Sequence, residues 1–242
     1  MKATIFILVL AAATAAAKAT TITGLYDTGV NTLNVALVPA NSTNNVADPI
    51  FTTNPGTMAY TFFIPAYYNE ALLTDNARWI STASICFNCG PAPTLVFATA
   101  AGNYDYTETF SLPSGVLPST VDITGSWATD NCGTILVNGI ATNQTVGGGV
   151  GNCTAIAANF NSLTPFHLTG AYLASIGVTL STTGPNTIDF QVFNAGSSTA
   201  LLVTNLQGTG STPELVTALF TLTGLVLMGM RITPLGRHTT RS

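Results

Sequence analysis

The stretch Tyr104-Asp-Tyr-Thr-Glu-Thr-Phe-Ser-Leu112 alternates polar and apolar residues along its length. Successive side chains of an extended chain point to opposite sides, so alternation at period two places one set on each face of a β-strand. The segments Thr57–Ile64 and Asn186–Phe193 show the same alternation. The sequence therefore predicts strands that have one buried face and one solvated face.

Shorter β-branched runs and turn signals surround these three segments. The runs are Thr120–Ala128, Thr134–Val137 and Leu201–Leu206, and turn residues stand at Pro113–Gly115, Asn138-Gly139 and Thr183–Pro185. Outside the two chain ends, the one segment that we expect to be helical is Asn69–Ala77. Many brief strands without alternating helices predict an all-β fold, namely an antiparallel β-sandwich or jelly roll.

The N-terminus has the layout of a secretory signal peptide. Met1-Lys2 gives a basic start, Ile5–Ala17 is almost wholly apolar, and small residues follow around Ala17 and Ala19. The apolar run is short for a membrane span, which favours a cleaved signal over an N-terminal anchor or a buried helix. We therefore expect a signal peptide over residues 1–19 and an exported protein.

The C-terminus predicts membrane attachment. Leu215–Met230 is free of charge, and Arg231 begins a tail that holds the remaining arginines. A helix of this length rises about 24 Å, somewhat less than a hydrocarbon core of roughly 30 Å. The alternative is a terminal core helix, but positive charge after the apolar run is typical of a span with a cytoplasmic end. We therefore expect a transmembrane anchor within residues 213–242.

The order of features at this end resembles the PEP-CTERM sorting signal of bacterial surface proteins. Pro213-Glu214 is followed by an apolar stretch with Gly224-Leu225 and then by Arg231, which opens the basic end. Leu215 stands where the motif has a second proline. The resemblance implies a sorting signal at Pro213, Glu214 and Arg231, processing by an exosortase, attachment to the bacterial inner membrane, and a place at the cell surface or in an exopolysaccharide matrix.

Between the two ends, residues 20–212 are enough for one domain with a substantial core. Arg78 is the only basic residue from Thr20 to Met230, against ten acidic residues. A domain with this charge balance cannot hold a phosphate backbone, so nucleic acid is excluded as a partner. Neutral polar groups, mainly Thr, Ser, Asn and Gly, provide the solvated surface.

Four cysteines suit the oxidising compartment that the signal peptide implies. Zinc ligation is disfavoured because a CxxC pair followed by two distant cysteines matches no compact zinc framework. A redox-active CxxC is disfavoured because prolines after Cys89 argue against a helix there. Among the three possible pairings we favour two structural disulfides, Cys86–Cys89 and Cys132–Cys153.

Three segments in order resemble the galactose-binding-like jelly roll, and in particular the accessory domain of many PEP-CTERM proteins. They are Asn103–Phe110, Trp127-Ala-Thr-Asp130 and Ile135–Gly139, and the resemblance extends over about Asp48–Thr209. It implies a sandwich fold, a possible carbohydrate ligand and a possible structural calcium ion. Asn138-Gly139 also has a purely physical interpretation as a tight turn between two strands.

Catalysis finds little support in the sequence. A Ser-His-Asp triad would need His167, which lies in a strand-like run and is better explained as a structural residue. The carboxylates of a glycosidase could come from Asp105, Glu108, Asp122, Asp130 or Asp189, but no pair among them stands out. Asp105 and Glu108 are three apart on a strand and so face opposite ways. We therefore expect no catalytic residues and no cofactor other than a structural calcium ion.

Binding is the better hypothesis. Sugars stack on aromatic rings and bond to carboxylate or amide groups, which makes Tyr67, Tyr68, Asp130 and Asn131 candidate ligand-binding residues. Asp122 or Asp130 could supply oxygen ligands to calcium. Both tryptophans, Trp79 and Trp127, lie beside strand-like residues and are expected in the core. The sequence thus predicts a structural or adhesive surface protein, with a carbohydrate-binding module as the first alternative and an unrecognised hydrolase as the second.

Overall fold

The computed structural model describes residues 17–40, 42, 44–54, 56–61, 72–73, 75–82, 100–153, 159–196 and 199–213. Nearly all regular structure in these residues is β. The strands are β1 Lys18–Thr21, β2 Ala47–Thr53, β3 Thr57–Thr61, β4 Ile80–Ser81, β5 Gly102–Phe110, β6 Asp122–Asp130, β7 Cys132–Val137, β8 Ile140–Val146, β9 Thr164–Thr169, β10 Asn186–Asn194 and β11 Ala200–Thr212. One short helix, α1, covers Gly170–Ser175.

The strands form a single antiparallel sheet in the order β8-β7-β10-β5-β2-β3-β4-β11-β6-β9, and β1 pairs with β11. Only some neighbours in this order are consecutive in the chain. For example, β10 lies between β5 and β7, so it joins two strands that β6 separates in sequence. Residues Ala19–Ser211 form one compact unit.

The sheet folds over so that its two ends face each other across an aromatic core. Phe190 on β10 lies 5.6 Å from Trp127 on β6 and 5.9 Å from Phe166 on β9, measured between ring centroids. Phe51 on β2 lies 6.3 Å from the same ring. Because residues from both halves of the sheet meet at Phe190, the arrangement is sandwich-like and nearly closed.

The start of β11, residues 200–204, is buried on both of its faces. Leu201 and Val203 point into the main core, whereas Ala200 and Leu202 belong to a second cluster with Trp79. This explains why the start of β11 is continuously apolar, whereas β5 and β10 alternate. The domain therefore has a small apolar layer outside the sheet, built on β6 and β11.

The all-β, antiparallel fold class predicted from the sequence is confirmed. β5, β6, β7, β10 and β11 overlap the predicted segments, with bounds that differ by one to several residues. The turn at Asn138-Gly139 is also confirmed: it joins Val137 to Ile140, and both turn residues have positive φ, 48° and 77°. This is the geometry that a two-residue hairpin requires.

The helix predicted at Asn69–Ala77 lies partly outside the described residues. Within 69–77 the described residues, 72, 73 and 75–77, contain no α-helix, and α1 lies at Gly170–Ser175. Thr169 starts it, because its Oγ1 accepts a hydrogen bond of 3.1 Å from the backbone N–H of Tyr172. The strands β2, β8 and β9 were not predicted, since they are short and lack long alternating runs.

The predicted signal peptide and membrane anchor lie almost wholly outside the described residues. Only residues 17–19 of the first segment and Pro213 of the second are described. The described part of the chain holds no helix that is long and apolar enough to cross a bilayer.

Candidate functional site

The two tryptophans are in the interior, where the sequence predicts them. Trp79 is 1% exposed and Trp127 is 0% exposed, which confirms that both pack in the core. Tyr67 and Tyr68 lie outside the described residues. Neither tryptophan ring can therefore serve as a stacking surface.

Asp130 and Asn131 connect β6 to β7 and are both buried, at 8% and 6% exposure. Asn131 Nδ2 donates to Asp130 Oδ1 at 2.8 Å, and Asn131 Oδ1 accepts from the backbone N–H of Ala195 at 2.9 Å. The backbone carbonyl of Asn131 accepts from Asn159 Nδ2 at 2.7 Å. These bonds order the connection, and ligand or calcium contact by Asp130 stays a prediction.

Asp122 and Asp130 are the first and last residues of β6. Eight residue steps along a strand separate their Cα atoms by about 26 Å, so they cannot share one ion. Asp122 Oδ1 instead lies 2.7 Å from His167 Nε2 in an exposed pair on β6 and β9. No group of three or more Asp, Glu, His or Cys side chains in the described residues is arranged to hold a metal ion.

The disulfide between Cys132 and Cys153 is confirmed. It ties the buried start of β7 to the chain beyond the glycine-rich loop, and Cys132 Sγ lies 3.4 Å from the carbonyl oxygen of Gly147 in that loop. Cys86 and Cys89 lie outside the described residues. The confirmed bridge shapes one end of the sheet and takes no part in the two cavities described next.

The main candidate site is a groove of about 410 Å³ on the outer face of the sheet. We call it the sheet-face groove. It crosses β2, β5, β10 and β7, and its polar side chains are Thr52, Asn54, Asp105, Thr107, Asp189 and Gln191. Leu136 adds an apolar surface, and the turn glycines Gly56 and Gly139 border it without side chains.

Strand alternation places these side chains on one face. On β5 and β10 the residues Tyr106, Phe110, Ile188 and Phe190 are buried in the core, so the intervening residues point outward. The register pairs Asp189 with Thr107 and Gln191 with Asp105. Two outward polar stripes from strands far apart in sequence therefore lie side by side.

The polar groups of the groove are held in place by one another. Gln191 Nε2 donates to Asp105 Oδ1 at 2.7 Å, and Asn54 Nδ2 approaches Asp105 Oδ2 at 3.4 Å. Thr107 stands directly opposite Asp189 in the strand pair, and hydrogen bonding by its side chain lowers the pKa of Asp189. A preorganised set of this kind presents acceptors and donors at fixed positions to a ligand.

The charge of Asp105 acts on the second carboxyl group of the groove, that of Asp189. Partial burial raises the pKa of Asp189, the Thr107 hydrogen bond lowers it, and the nearby charge of Asp105 raises it further. Ionised Asp189 is thus disfavoured by desolvation and by a like charge. A ligand that brings a hydrogen-bond donor or a positive charge to this point would relieve both effects.

A second cavity, the β11 cleft, has a volume of about 560 Å³ and is lined by Asp27, Asp75 and several amide side chains. Its carboxylates stabilise an irregular part of β11. Between Thr204 and Gln207, the register of β11 with β6 shifts. Asp27 Oδ1 accepts from the backbone N–H of Leu206 at 2.8 Å. Asp75 Oδ2 accepts from Thr204 Oγ1 and from Asn205 Nδ2, both at 2.8 Å. These acids are engaged in fixing a bulge, which is a structural role.

The residues of the sheet-face groove were largely missed by sequence reasoning. The sequence indicates Asp105 and Asp189 only as possible glycosidase carboxylates, and it gives no prediction of a binding role for Gln191 or Thr107. The available signal was the outward stripe of polar residues at every second position of each strand. Their meeting depends on the pairing of β5 with β10, which no local pattern specifies.

Comparisons with known proteins leave the family open. No family model matches this chain, and no curated protein matches it. Among solved structures, it is similar to a GH31 α-xylosidase from Xanthomonas citri, with 10% identity and a TM-score of 0.25. The match covers 72% of this chain, which spans 18% of the length of that enzyme. A likeness at this level carries no argument about fold or activity.

Proposed function

We propose that this protein is an exported bacterial surface protein whose β-sandwich domain adheres to carbohydrate through the sheet-face groove. The observation that carries the proposal is the groove itself, in which carboxylate, amide and hydroxyl groups from three strands converge on one open surface. Sugar hydroxyls donate and accept at the same time, so a set of mixed donors and acceptors suits them.

The export and anchoring parts of the proposal rest on the sequence. The signal layout of residues 1–19 and the apolar, arginine-ended segment of residues 213–242 support export and attachment to the inner membrane. The PEP-CTERM resemblance adds an exosortase as a processing partner and the exopolysaccharide matrix as a setting. The galactose-binding-like resemblance of the domain is consistent with a sugar ligand.

Binding without catalysis is the form of the proposal that the groove supports. Asp105 Oδ1 accepts a hydrogen bond from Gln191 Nε2, and Asp105 Oδ2 lies near Asn54 Nδ2. Hydrogen bonding by the Thr107 side chain lowers the pKa of Asp189. His167, the one histidine in the domain, is paired with Asp122 on β6 and β9, away from the groove. Fixed, mutually bonded groups suit recognition better than proton transfer.

A glycan array followed by calorimetry tests the proposal with the full-length protein. We expect reproducible binding with a dissociation constant on the order of micromolar, about −8 kcal/mol. The change Gln191→Ala removes an amide from the groove and the hydrogen bond that this amide donates to Asp105. It should weaken binding at least several-fold. Thr109→Ala is the matched control, because Thr109 is exposed on the same face of β5 outside the groove.

A purely structural role is the competing function. If the domain is purely structural, the protein will bind no glycan on the array, and Gln191→Ala and Thr109→Ala will behave alike. Equal loss of binding in Gln191→Ala and Thr109→Ala would place a ligand elsewhere and would contradict the groove as the site.

A further inference from the structure

The charge of the sheet-face groove indicates which class of carbohydrate it accepts, provided that the proposed function holds. Asp105 on β5 and Asp189 on β10 are diagonal neighbours on the outer face of the sheet. Asp189 pairs with Thr107, and Asp105 lies two residues before Thr107 on the same strand. Diagonal neighbours on one face of a sheet have Cβ atoms roughly 7 Å apart. One ammonium group can donate hydrogen bonds to two carboxylates at that separation.

Neither of the two basic residues in the described part of the chain, Lys18 and Arg78, lies in the groove. The basic residues of the chain are Lys2, Lys18, Arg78 and three arginines after Met230. Arg78 is committed elsewhere: its Nε donates to the carbonyl of Val38 at 2.9 Å, and its Nη1 donates to the carbonyl of Ala77 at 2.7 Å. A ligand can therefore supply the positive charge that no described basic residue places at this point.

The same charges disfavour acidic glycans. A uronate, sulfate or phosphate group placed in the groove would face Asp105 and Asp189, with no basic residue among the described lining residues to bind it, and like-charge repulsion would cost affinity. A neutral sugar avoids that cost, but it brings no positive charge. The desolvation of Asp189 and its repulsion from Asp105, which both raise the pKa of Asp189, then remain.

The neutral groups of the groove indicate that the cation belongs to a sugar. Gln191 Nε2 and Asn54 Nδ2 flank Asp105, and Thr52 and Thr107, which stand opposite each other on β2 and β5, add two hydroxyls. Such groups match the hydroxyls of a pyranose ring, which both donate and accept, whereas a protonated polyamine can only donate and leaves their N–H and O–H groups without an acceptor.

We propose that the sheet-face groove selects polysaccharides with free amino groups, namely hexosamine polymers that lack N-acetyl groups, over neutral and acidic glycans. The ammonium group of one sugar lies between Asp105 and Asp189, and the hydroxyls of that sugar and its neighbours bond to the flanking amides and hydroxyls. Binding is non-covalent and weakens as salt screens the charges.

Calorimetry of the full-length protein with oligosaccharides of equal length tests this selection. The probes are oligomers of glucosamine, N-acetylglucosamine, glucose and guluronate at mildly acidic pH, where the amine is charged. We expect glucosamine oligomers to bind about tenfold more tightly than the neutral ones, and guluronate to bind least. Asp105→Asn and Asp189→Asn should each reduce the preference to about twofold while neutral oligomers still bind.

Asp122→Asn is the matched control, because it removes the same charge from an exposed site outside the groove. Equal affinity for glucosamine and glucose oligomers would overturn the selection and leave the carbohydrate function standing. Absence of binding to every oligomer would remove the proposed function itself. A lysine peptide that binds as tightly as the glucosamine oligomer, or an equal effect of Asp122→Asn, would show charge attraction alone and would overturn the proposal.

Discussion

The backbone N–H of Tyr26 donates a hydrogen bond of 2.7 Å to Oε1 of Glu108, which lies 82 residues further along the chain. Glu108 is completely buried on the inner face of β5, and its Oε2 has no hydrogen-bond partner in the described part of the chain. Burial raises the pKa of Glu108 well above its usual value, and the charges of Asp48 and Asp27 raise it further. The bond ties the loop after β1 to the centre of the sheet.

The first prediction concerns Glu108 and pH. An acid with a raised pKa binds its proton more tightly when folded, so its contribution is complete below the unfolded pKa near 4.5 and is lost as pH rises towards the folded pKa. Asp27 and Asp48 act in the same direction, because burial raises the pKa of each. The wild type should therefore become less stable from acidic to alkaline pH.

Glu108→Gln keeps an acceptor for Tyr26 and removes the titration. Its melting temperature should fall less steeply with pH than that of the wild type, and the variant should be the more stable at alkaline pH. Asp122→Asn, at an exposed position, should leave the slope unchanged. Parallel curves for Glu108→Gln and the wild type would show that Glu108 does not titrate in this range.

The second prediction concerns the disulfide. Cys132–Cys153 closes a loop of 21 residues, which constrains the unfolded chain and should contribute about 3 kcal/mol to the free energy of unfolding. Changing both residues to serine should lower the midpoint of denaturant unfolding under oxidising conditions. The difference from the wild type should largely vanish in reductant. A difference of the same size in both conditions would assign the effect to the loss of buried sulfur at Cys132.

The third prediction concerns the close packing of Gly133 on β7. A Cβ at this position would lie 2.7 Å from Cζ3 of Trp127 and 3.0 Å from Cγ2 of Thr129. Trp127 is enclosed in the core, so the ring has little room to move, and Gly133→Ala should cost about 1–3 kcal/mol of stability. Thermal unfolding measures the loss of stability. The control is Gly184→Ala, because a Cβ at Gly184 would meet only Ser181 Oγ, at 3.2 Å. Equal stability of the two variants would contradict the packing.

The fourth prediction concerns attachment. If Leu215–Met230 anchors the chain, deletion of Leu215–Ser242 should release the β-domain in soluble form into the periplasm or medium. Cell fractionation with an antibody to the domain measures this. A full-length protein that lacks only its signal peptide and stays soluble would contradict the anchor, as would a truncated protein that aggregates.

Part of this molecule could be derived from the sequence because it depends on local geometry. Period-two alternation places Asp105 and Glu108 on opposite faces of β5, and the structure confirms this: Glu108 is buried, whereas Asp105 lines the outer groove. The turn at Asn138-Gly139 follows equally from local preference, since Asn and Gly tolerate positive φ. Both results depend only on residues close together in the chain.

The tertiary structure alone decided which strands are neighbours. Gln191 bonds to Asp105 across 86 residues because β10 pairs with β5 in one particular register, and a shift of β10 by one residue would turn Gln191 to the face opposite Asp105. That register is fixed by the packing of Phe190 against Phe51, Trp127 and Phe166, which come from three other strands. Alternation determines which side chains face outward, but only burial of a shared core determines which of them meet.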